Sequence, residues 1–544
     1  MKLILTTLLV SFFIACSSNC IAQEMDTHGH GHSARVGRVR FPVSCTPLSQ
    51  KQFGNAVALL HSFWYEESAT AFAAITKQDP RCAMAYWGQA MSIYHPLWEQ
   101  PSAKTLADGR ALIQRAKVLK TTQRESDYIS ALDIFYSEEH PDYVRRALAY
   151  EASMKGLYST YPGDDEAAVF YGLALISSAQ ALPPDRNHAR EKEAATILDR
   201  VLAKQPSHPG VAHYLIHAYD SPALANLALN AARSYAKIAP AVPHALHMPS
   251  HIFTRLGLWE ESIKSNLDSE AAAITYARRI KMGAAWDQQL HAMDYLAYAY
   301  LQIGRDDEAK AVLEELQAID KASPEAVAAA YAFAAIPARY AIERRQWEDA
   351  AKLELRPAKF AWDRYPWALA IVAYARGIGA ARTGDAAAAR QEIERLAEIA
   401  KQSAGGIGYN WAGQVEIQRL SVAAWAAYVE GKTDEAVSLM REAADREDAS
   451  EKHPVTPGPI VPARELLGEL LMAVGEPGKA FDEFVKSLET SPRRFTGLYG
   501  AARAAELAGA RDKAGVFYRQ LLEVSGGSRS VRPELREAQA FVKR

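Results

Sequence analysis

At 544 residues the chain exceeds what one compact hydrophobic core supports, so several domains or a repeat array is expected. An apolar fraction of 49% and a charged fraction of 23% are those of an ordinary globular protein. Lys+Arg 62 against Asp+Glu 64 leaves a formal charge of −2, which gives no broad electrostatic basis for binding nucleic acid or an anionic membrane surface.

The chain begins MKLILTTLLVSFFIACSSNCIAQ, with one basic residue, an apolar run from Leu3 to Ala15 and a short polar stretch ending at Ala22. The run is too short to span a membrane and reads as a secretory signal over residues 1–22. Two processed forms are open. Cleavage after Ala22 releases a soluble periplasmic or secreted protein starting at Gln23. Alternatively, FIAC resembles a lipobox with Cys16 as the lipidated residue, although Phe13 stands where such boxes usually carry Leu. Both forms are exported. No later segment offers 18 consecutive apolar residues, so no transmembrane helix is expected.

Residues 23–48 read as a flexible arm carrying His28, His30 and His32 in HGHGH. Alternating histidines of this kind either chelate Cu, Ni or Zn weakly or are ordinary members of a flexible arm. With Cys16 and Cys20 in the signal, Cys45 and Cys82 remain. In an oxidising compartment they are expected to pair and tie the arm to the first helices; two buried thiols are the alternative. His61 and His95 lie close in sequence to Trp64 and Trp98, where core or turn packing is the expected role and groove lining the alternative.

Internal periodicity organises the rest of the chain. A glycine, or a substitute, is followed five residues later by a small residue that opens a helix. The pattern appears as GLWEES 257–262, GRDDEA 304–309, GKTDEA 431–436, GEPGKA 475–480 and GARDKA 509–514, with GDAAAA 384–389 and RQWEDA 345–350 as variants. Apolar residues at helical spacing flank each turn, and a proline often stops the second helix, as at Pro206 and Pro492. The glycine ends one helix in a left-handed conformation, the small residue lets the next helix cross it closely, and proline cannot continue a helix.

These turns and helix pairs make the sequence resemble the tetratricopeptide repeat (TPR) family over most of residues 49–525. The repeats are degenerate, and the small residues are separated by 34 to 47 positions. The resemblance implies an all-α, right-handed superhelical solenoid of about ten to twelve helical hairpins, with the first helix of each hairpin lining a concave groove. The main array is expected over 49–448. SEKHPVTPGPIVP, 450–462, carries four prolines and marks a loop or linker over 449–463, laid across the surface, after which 464–544 resumes two regular hairpins.

Two histidine pairs stand out in this frame. GVAHYLIHAYD places His213 and His217 four residues apart, and PHALHMPSHIF repeats the spacing with His247 and His251, 34 residues on. The resemblance puts both pairs at the same two groove-facing positions of adjacent repeats. It adds His244, Asp220, and from the next repeat His291 and Asp294, with Tyr298 as an aromatic groove wall and Tyr300 in the core. Side chains four apart on a helix are neighbours, and packed helices lie about 8–10 Å apart, so these imidazoles can converge.

His213, His217, His247, His251, His291 and Asp294 are therefore a candidate site for a divalent transition metal (Zn, Cu, Ni or Fe). Asp294 or Asp220 serves there as a further ligand or as an acceptor for an imidazole N–H. The alternatives are a polar groove in which the histidines bond to one another, to Asp220, to Asp294 and to water, and direct acid–base catalysis. Neither pair is His-Glu-x-x-His, so the zinc-protease base is absent. Pro249 either kinks the second helix or starts it, and in the latter case His247 leaves the helix. His453, in the proline-rich segment, is a candidate lid residue.

Two functions are compatible with these residues. One is an exported scaffold that binds a peptide, protein or small ligand in the histidine-lined groove. The other is a metal-binding protein or metal-dependent enzyme built on the same side chains. No Gly-rich phosphate loop, Gly-x-Ser-x-Gly elbow or Cys-x-x-Cys offers a different chemistry.

Overall fold

The computed structural model describes residues 35–544, apart from 98–99, 141, 405–408, 527 and 529. The signal segment with Cys16, the His28–His32 stretch and Trp98 lie outside the described residues. Within the described residues, helices succeed one another from Pro47–His61 to Pro533–Val542. The one sheet among them is a two-residue parallel pair, Ala285–Trp286 against Ala322–Ser323. Each helix packs chiefly on its neighbours in sequence, which makes the protein an all-α solenoid of TPR-like hairpins. Among the described residues no helix is long and apolar enough to cross a membrane.

The turns behave as their sequence demands. Gly257 has φ 65°, and the glycines at 304, 384, 431, 475 and 509 share the left-handed region. Arg345 takes the same conformation at φ 55° in the variant turn RQWEDA, where an L side chain costs about 1–2 kcal/mol that glycine does not. The small residue five positions after each turn is fully buried: Ser262, Ala309, Ala350, Ala389, Ala436, Ala480 and Ala514 all have 0% exposure. A larger side chain at any of them would push two helix axes apart.

Two expectations about segments are corrected, and a third is extended. Residues 35–46 are not a loose arm: Phe41 is buried against Phe53, Trp87 and Tyr128, with ring centroids 5.4, 5.6 and 4.9 Å away. Arg38 N–H donates to Ser207 O at 3.0 Å, and Cys45 is joined to Cys82 by a disulfide. The proline-rich segment is not a surface loop either. It runs along the inner side of the array, where Tyr295 donates to Thr456 O at 3.2 Å and Tyr331 to Gly458 O at 3.0 Å. Two hairpins do continue the array from Ala463 to Val524, and a further helix, Pro533–Val542, packs on the last of them.

Curvature then brings the end of the array back to its middle. Arg494 is fully buried between Glu343 and Glu465, at 2.5 and 2.7 Å, and donates to the Tyr298 hydroxyl at 2.8 Å. Trp259 donates to Arg493 O, and Ser528 to Gly304 O. Breaking such a buried pair by removing one partner costs about 3–5 kcal/mol, so closure is strongly fixed. The apolar core forms two main bodies, residues 36–286 and 259–504, and the histidine-bearing helices lie where they meet.

Candidate metal centre

Four helices from three successive repeats supply the site. Pro209–Tyr219 carries His213 and His217, Pro243–His247 carries His244 and His247, Pro249–Arg255 carries His251, and Asp287–Gln302 carries His291. Proline opens the first three, at a position whose N–H a helix leaves unsatisfied anyway. Pro249 divides two short helices, yet Met248 between them keeps helical angles of −51° and −36°. The register therefore carries through, and His247 and His251 still face one another.

The six imidazoles form two triads. In the first, His213 Nε2 lies 3.1 Å from both His217 Nε2 and His244 Nε2. In the second, His247 Nε2 and His251 Nε2 are 3.0 Å apart, with the His291 ring centroid 4.0 Å from that of His247. Within each triad one ring nitrogen per residue lies within 4.8 Å of the others. The triads adjoin: ring centroids are 6.3 Å apart for His217 and His251, and 6.2 Å for His244 and His247.

The far side of three rings fixes which nitrogen carries the proton. His213 Nδ1 faces the His61 carbonyl oxygen at 2.7 Å, an acceptor, so Nδ1–H donates and Nε2 holds a lone pair. His251 Nδ1 donates to the Asp220 carboxylate at 3.0 Å. His247 Nδ1 donates to Asn266 Oδ1 at 2.6 Å, the amide being oriented by its own donation to Ser262 O at 2.7 Å. Hence His247 and His251 present lone pair to lone pair across 3.0 Å. A proton or a metal ion has to lie between them.

Burial works against the proton. It drives His213 down to about 3 and holds His217, His244, His247 and His291 well below the usual imidazole range, with neighbouring histidines opposing further charge on all four. His251 is lowered by burial although Asp220 pulls the other way, and Lys452 and Arg255 beside Asp220 add to the lowering. Neutral imidazole is the metal-binding form. Two zinc–nitrogen bonds of about 2.0–2.1 Å at a tetrahedral ion set their nitrogens about 3.3 Å apart, so the three contacts at 3.0–3.1 Å need shifts of a few tenths of an ångström, and the remaining nitrogens, within 4.8 Å, have to close in on the ion.

Around the triads the supporting contacts are those of ligating histidines, whose second nitrogen is normally held by a carbonyl, carboxylate or amide. Asp220 is the hub. Burial pushes its carboxyl up, but Lys452, Arg255 and His251 outweigh that and hold it well below the usual range. Lys452 Nζ sits 2.8 Å from Asp220 Oδ2 and Arg255 Nε 2.9 Å from Oδ1. Tyr295 lies over His251 and against His247, with centroids 5.1 and 4.8 Å away. Phe63 and Tyr235 pack on His213.

Some expected residues are elsewhere. Asp294 is not with the histidines: its carboxylate is paired with buried Arg339 at 2.6 Å, because the helix turns it toward the next repeat. Tyr298 is no groove wall, since Arg494 and the 456–460 stretch cover the inner face there. Tyr300 is in the core. His95 stacks on Tyr65 at 4.1 Å, and His453 stacks on Trp411 at 4.9 Å. His244 belongs to the first triad, a role its sequence position left open; its i,i+3 spacing to His247 was the signal. Asn266, Tyr295 and Lys452 carried none.

A third cluster lies behind the first. Glu166 is fully buried with one oxygen 2.9 Å from His61 Nε2 and the other 2.7 Å from His208 Nε2. His61 Nδ1 meets the Tyr214 hydroxyl at 2.9 Å, and His208 Nδ1 accepts the Val211 N–H at 3.3 Å. Every ring nitrogen here has a complementary partner, and the His61 carbonyl leads on to His213.

A cavity of about 1030 Å³ adjoins the centre. His217 and Asp220 line it, together with Tyr143, Pro183, Trp411 and His453.

No protein-family model and no curated protein matches the chain. Its backbone is similar to solved helical-repeat structures. A human IFIT1 dimer with PPP-AAAA is 12% identical, with TM-score 0.40, over 81% of this chain and 90% of that one. A tetratricopeptide repeat protein from Parabacteroides merdae is 9% identical, with TM-score 0.24, over 77% of this chain and 100% of that one. Naa15/Naa10 bound to HypK-THB gives 11% identity and TM-score 0.25 over 91% of both chains. The repeat architecture of this chain rests on the turns and buried small residues described above.

Proposed function

We propose that this chain is a metal-binding protein that holds two transition-metal ions side by side, one in each histidine triad. The observation that carries this reading is the pair of lone-pair nitrogens of His247 and His251, 3.0 Å apart and each fixed by a partner on its far side. Five buried imidazoles and a sixth, His217, that is partly buried are costly to assemble unless something satisfies their nitrogens. The donor set is all nitrogen, which suits zinc, copper, nickel or iron and does not suit magnesium or calcium. Export belongs to the same reading, supported by the Cys45–Cys82 bridge.

The scaffold reading draws on the repeats themselves, since such arrays present extended surfaces. Its inner wall at Tyr298 and Asp294 is filled by the chain's own segment 450–462 and C-terminal hairpins, so a partner would have to bind elsewhere on the array.

Elemental analysis decides between them, on full-length mature protein with His28, His30 and His32 replaced by alanine. The expected content is two ions per chain in the wild type, and one in His251→Ala. A content under about a tenth of an ion per chain after loading at neutral pH, where structural sites bind tightly, leaves only the scaffold.

A further inference from the structure

The two triads differ in access. All three histidines of the second are buried, at 1%, 2% and 6% exposure for His247, His251 and His291, under Tyr295 and the 450–462 segment. In the first, His217 is partly exposed and lines the large cavity. A metal held by three protein ligands keeps a coordination position for an outside group, whereas a closed site does not.

We infer that the first triad, His213, His217 and His244, is where an exogenous ligand binds its metal, and that this ligand is an aromatic molecule bearing a metal-binding oxygen, of the phenol class. The inference rests on the metal reading above and assigns it a substrate side.

The cavity walls select the class. One side is a set of stacked rings: Trp411 lies on His453 at 4.9 Å and 25°, backed outside the cavity by Trp367 on Trp411 at 4.0 Å and 9°. Tyr409 stands edge-on to both Trp411 and His453. Leu97, Ile176, Leu182, Pro183 and Pro184 add apolar lining. Rings and prolines of this kind present flat, rigid, weakly hydrated faces that suit a planar aromatic ligand.

Charge excludes the main competitor. Of the cations that border the cavity, Arg255 and Lys452 are committed to Asp220, Arg190 to Glu151 and Arg446 to Glu442. Arg186, exposed at the rim, has no ion pair among the described residues. A phosphate or other polyanion would call for several converging cations. With four of these five cations held in ion pairs and Arg186 alone at the rim, no cluster of free cations converges on the cavity, and the ligand that gains most is neutral, with one oxygen aimed past Asp220 at the metal beside His217.

The test loads the full-length protein with Co(II) or Cu(II), measures its metal content, and titrates it with phenol while recording the visible spectrum. Cyclohexanol and azide are the controls. Phenol is expected to shift the spectrum of the wild type and of His291→Ala, which keeps the first site, but not of His217→Ala. Cyclohexanol is expected to bind at least tenfold more weakly than phenol, a difference of about 1.4 kcal/mol. Ala179→Trp, which fills the cavity from the exposed end of the helix Asp165–Ala181, is expected to weaken phenol about tenfold while azide still shifts the spectrum.

Two ions per chain with no shift from phenol overturns this inference and leaves the metal reading standing. Equal responses to phenol and cyclohexanol, or a phenol shift that survives in His217→Ala and is lost in His291→Ala, also overturn it. Absence of metal overturns both readings together.

Discussion

Two kinds of buried histidine cluster lie within one helix packing distance of each other and meet the cost of burial in different ways. Around Glu166, two rings and one carboxylate fill each other's valences, and each second ring nitrogen has a hydroxyl or an N–H to complement it. In the triads the outer nitrogens of His213, His247 and His251 are equally well held, but the inner nitrogens of His247 and His251 meet lone pair to lone pair. The first arrangement is complete as it stands and acts as a brace. The His247–His251 contact is complete only with a proton or a metal ion between the two nitrogens, and the contacts to Asn266 and Asp220 fix those nitrogens toward each other, as the His61 carbonyl fixes that of His213.

The largest effect expected comes from breaking the brace. Glu166→Ala leaves His61 and His208 buried without their acceptor, and is expected to cost about 3–5 kcal/mol in denaturant unfolding. Metal content at low temperature should stay at two ions, because no ligand is removed. Glu166→Gln keeps a hydrogen-bond acceptor and should cost clearly less. Loss of both metals in the folded variant would show that the brace is itself part of the site.

Next comes an orienting residue. Asn266→Ala removes the acceptor from His247 Nδ1–H, and such changes weaken metal binding by about 10–100-fold. Competition against a chelator reads it. The loss should fall on one ion of the two, and unchanged affinity would mean that His247 is not held by this contact.

The smallest effect separates two carboxylates by pH. Burial pushes Glu166 up, but His208 and His61 outweigh it and hold the carboxyl down to about 2. Its contribution to stability is therefore present above the unfolded value near 4.5 and is lost as pH falls toward 2. Glu447 has an N–H donor, Ala463 at 2.8 Å, and burial raises it to about 8. There the native state holds the proton more tightly, so stability falls as pH rises from about 4.5 through 8. Glu447→Gln should remove that fall, raising stability over the wild type at pH 8.5 and leaving it unchanged at pH 4. A wild-type stability curve flat between pH 5 and 8, unchanged by the substitution, would contradict it.

Much of the fold was legible because its signals are local. Gly257 and Ser262 sit five residues apart and report a turn and a close crossing by themselves, and the same pattern recurs at 304 and 309. The histidine pairs were legible for the same reason, four residues being one helical turn. What the sequence hid depends on distant chain. Asp294 and Tyr298 share the helix of His291, but Arg339 and Arg494 claim them across 45 and 196 residues. Nothing in residues 449–463 tells that their prolines keep the chain irregular so that it can lie along the inner wall. Phe41 alternates with Val39 and Val43, but three apolar residues in a short arm do not by themselves reveal the distant helices they pack against.

The most direct measurement of the central claim is X-ray absorption on protein loaded with zinc or copper. Two neighbouring all-imidazole sites predict a first shell of nitrogen at about 2.0–2.1 Å, with the outer-shell scattering of about three imidazole rings per ion. A first shell dominated by water or carboxylate oxygen, with one imidazole or none, would place the metal elsewhere and return the six histidines to a hydrogen-bonded interior.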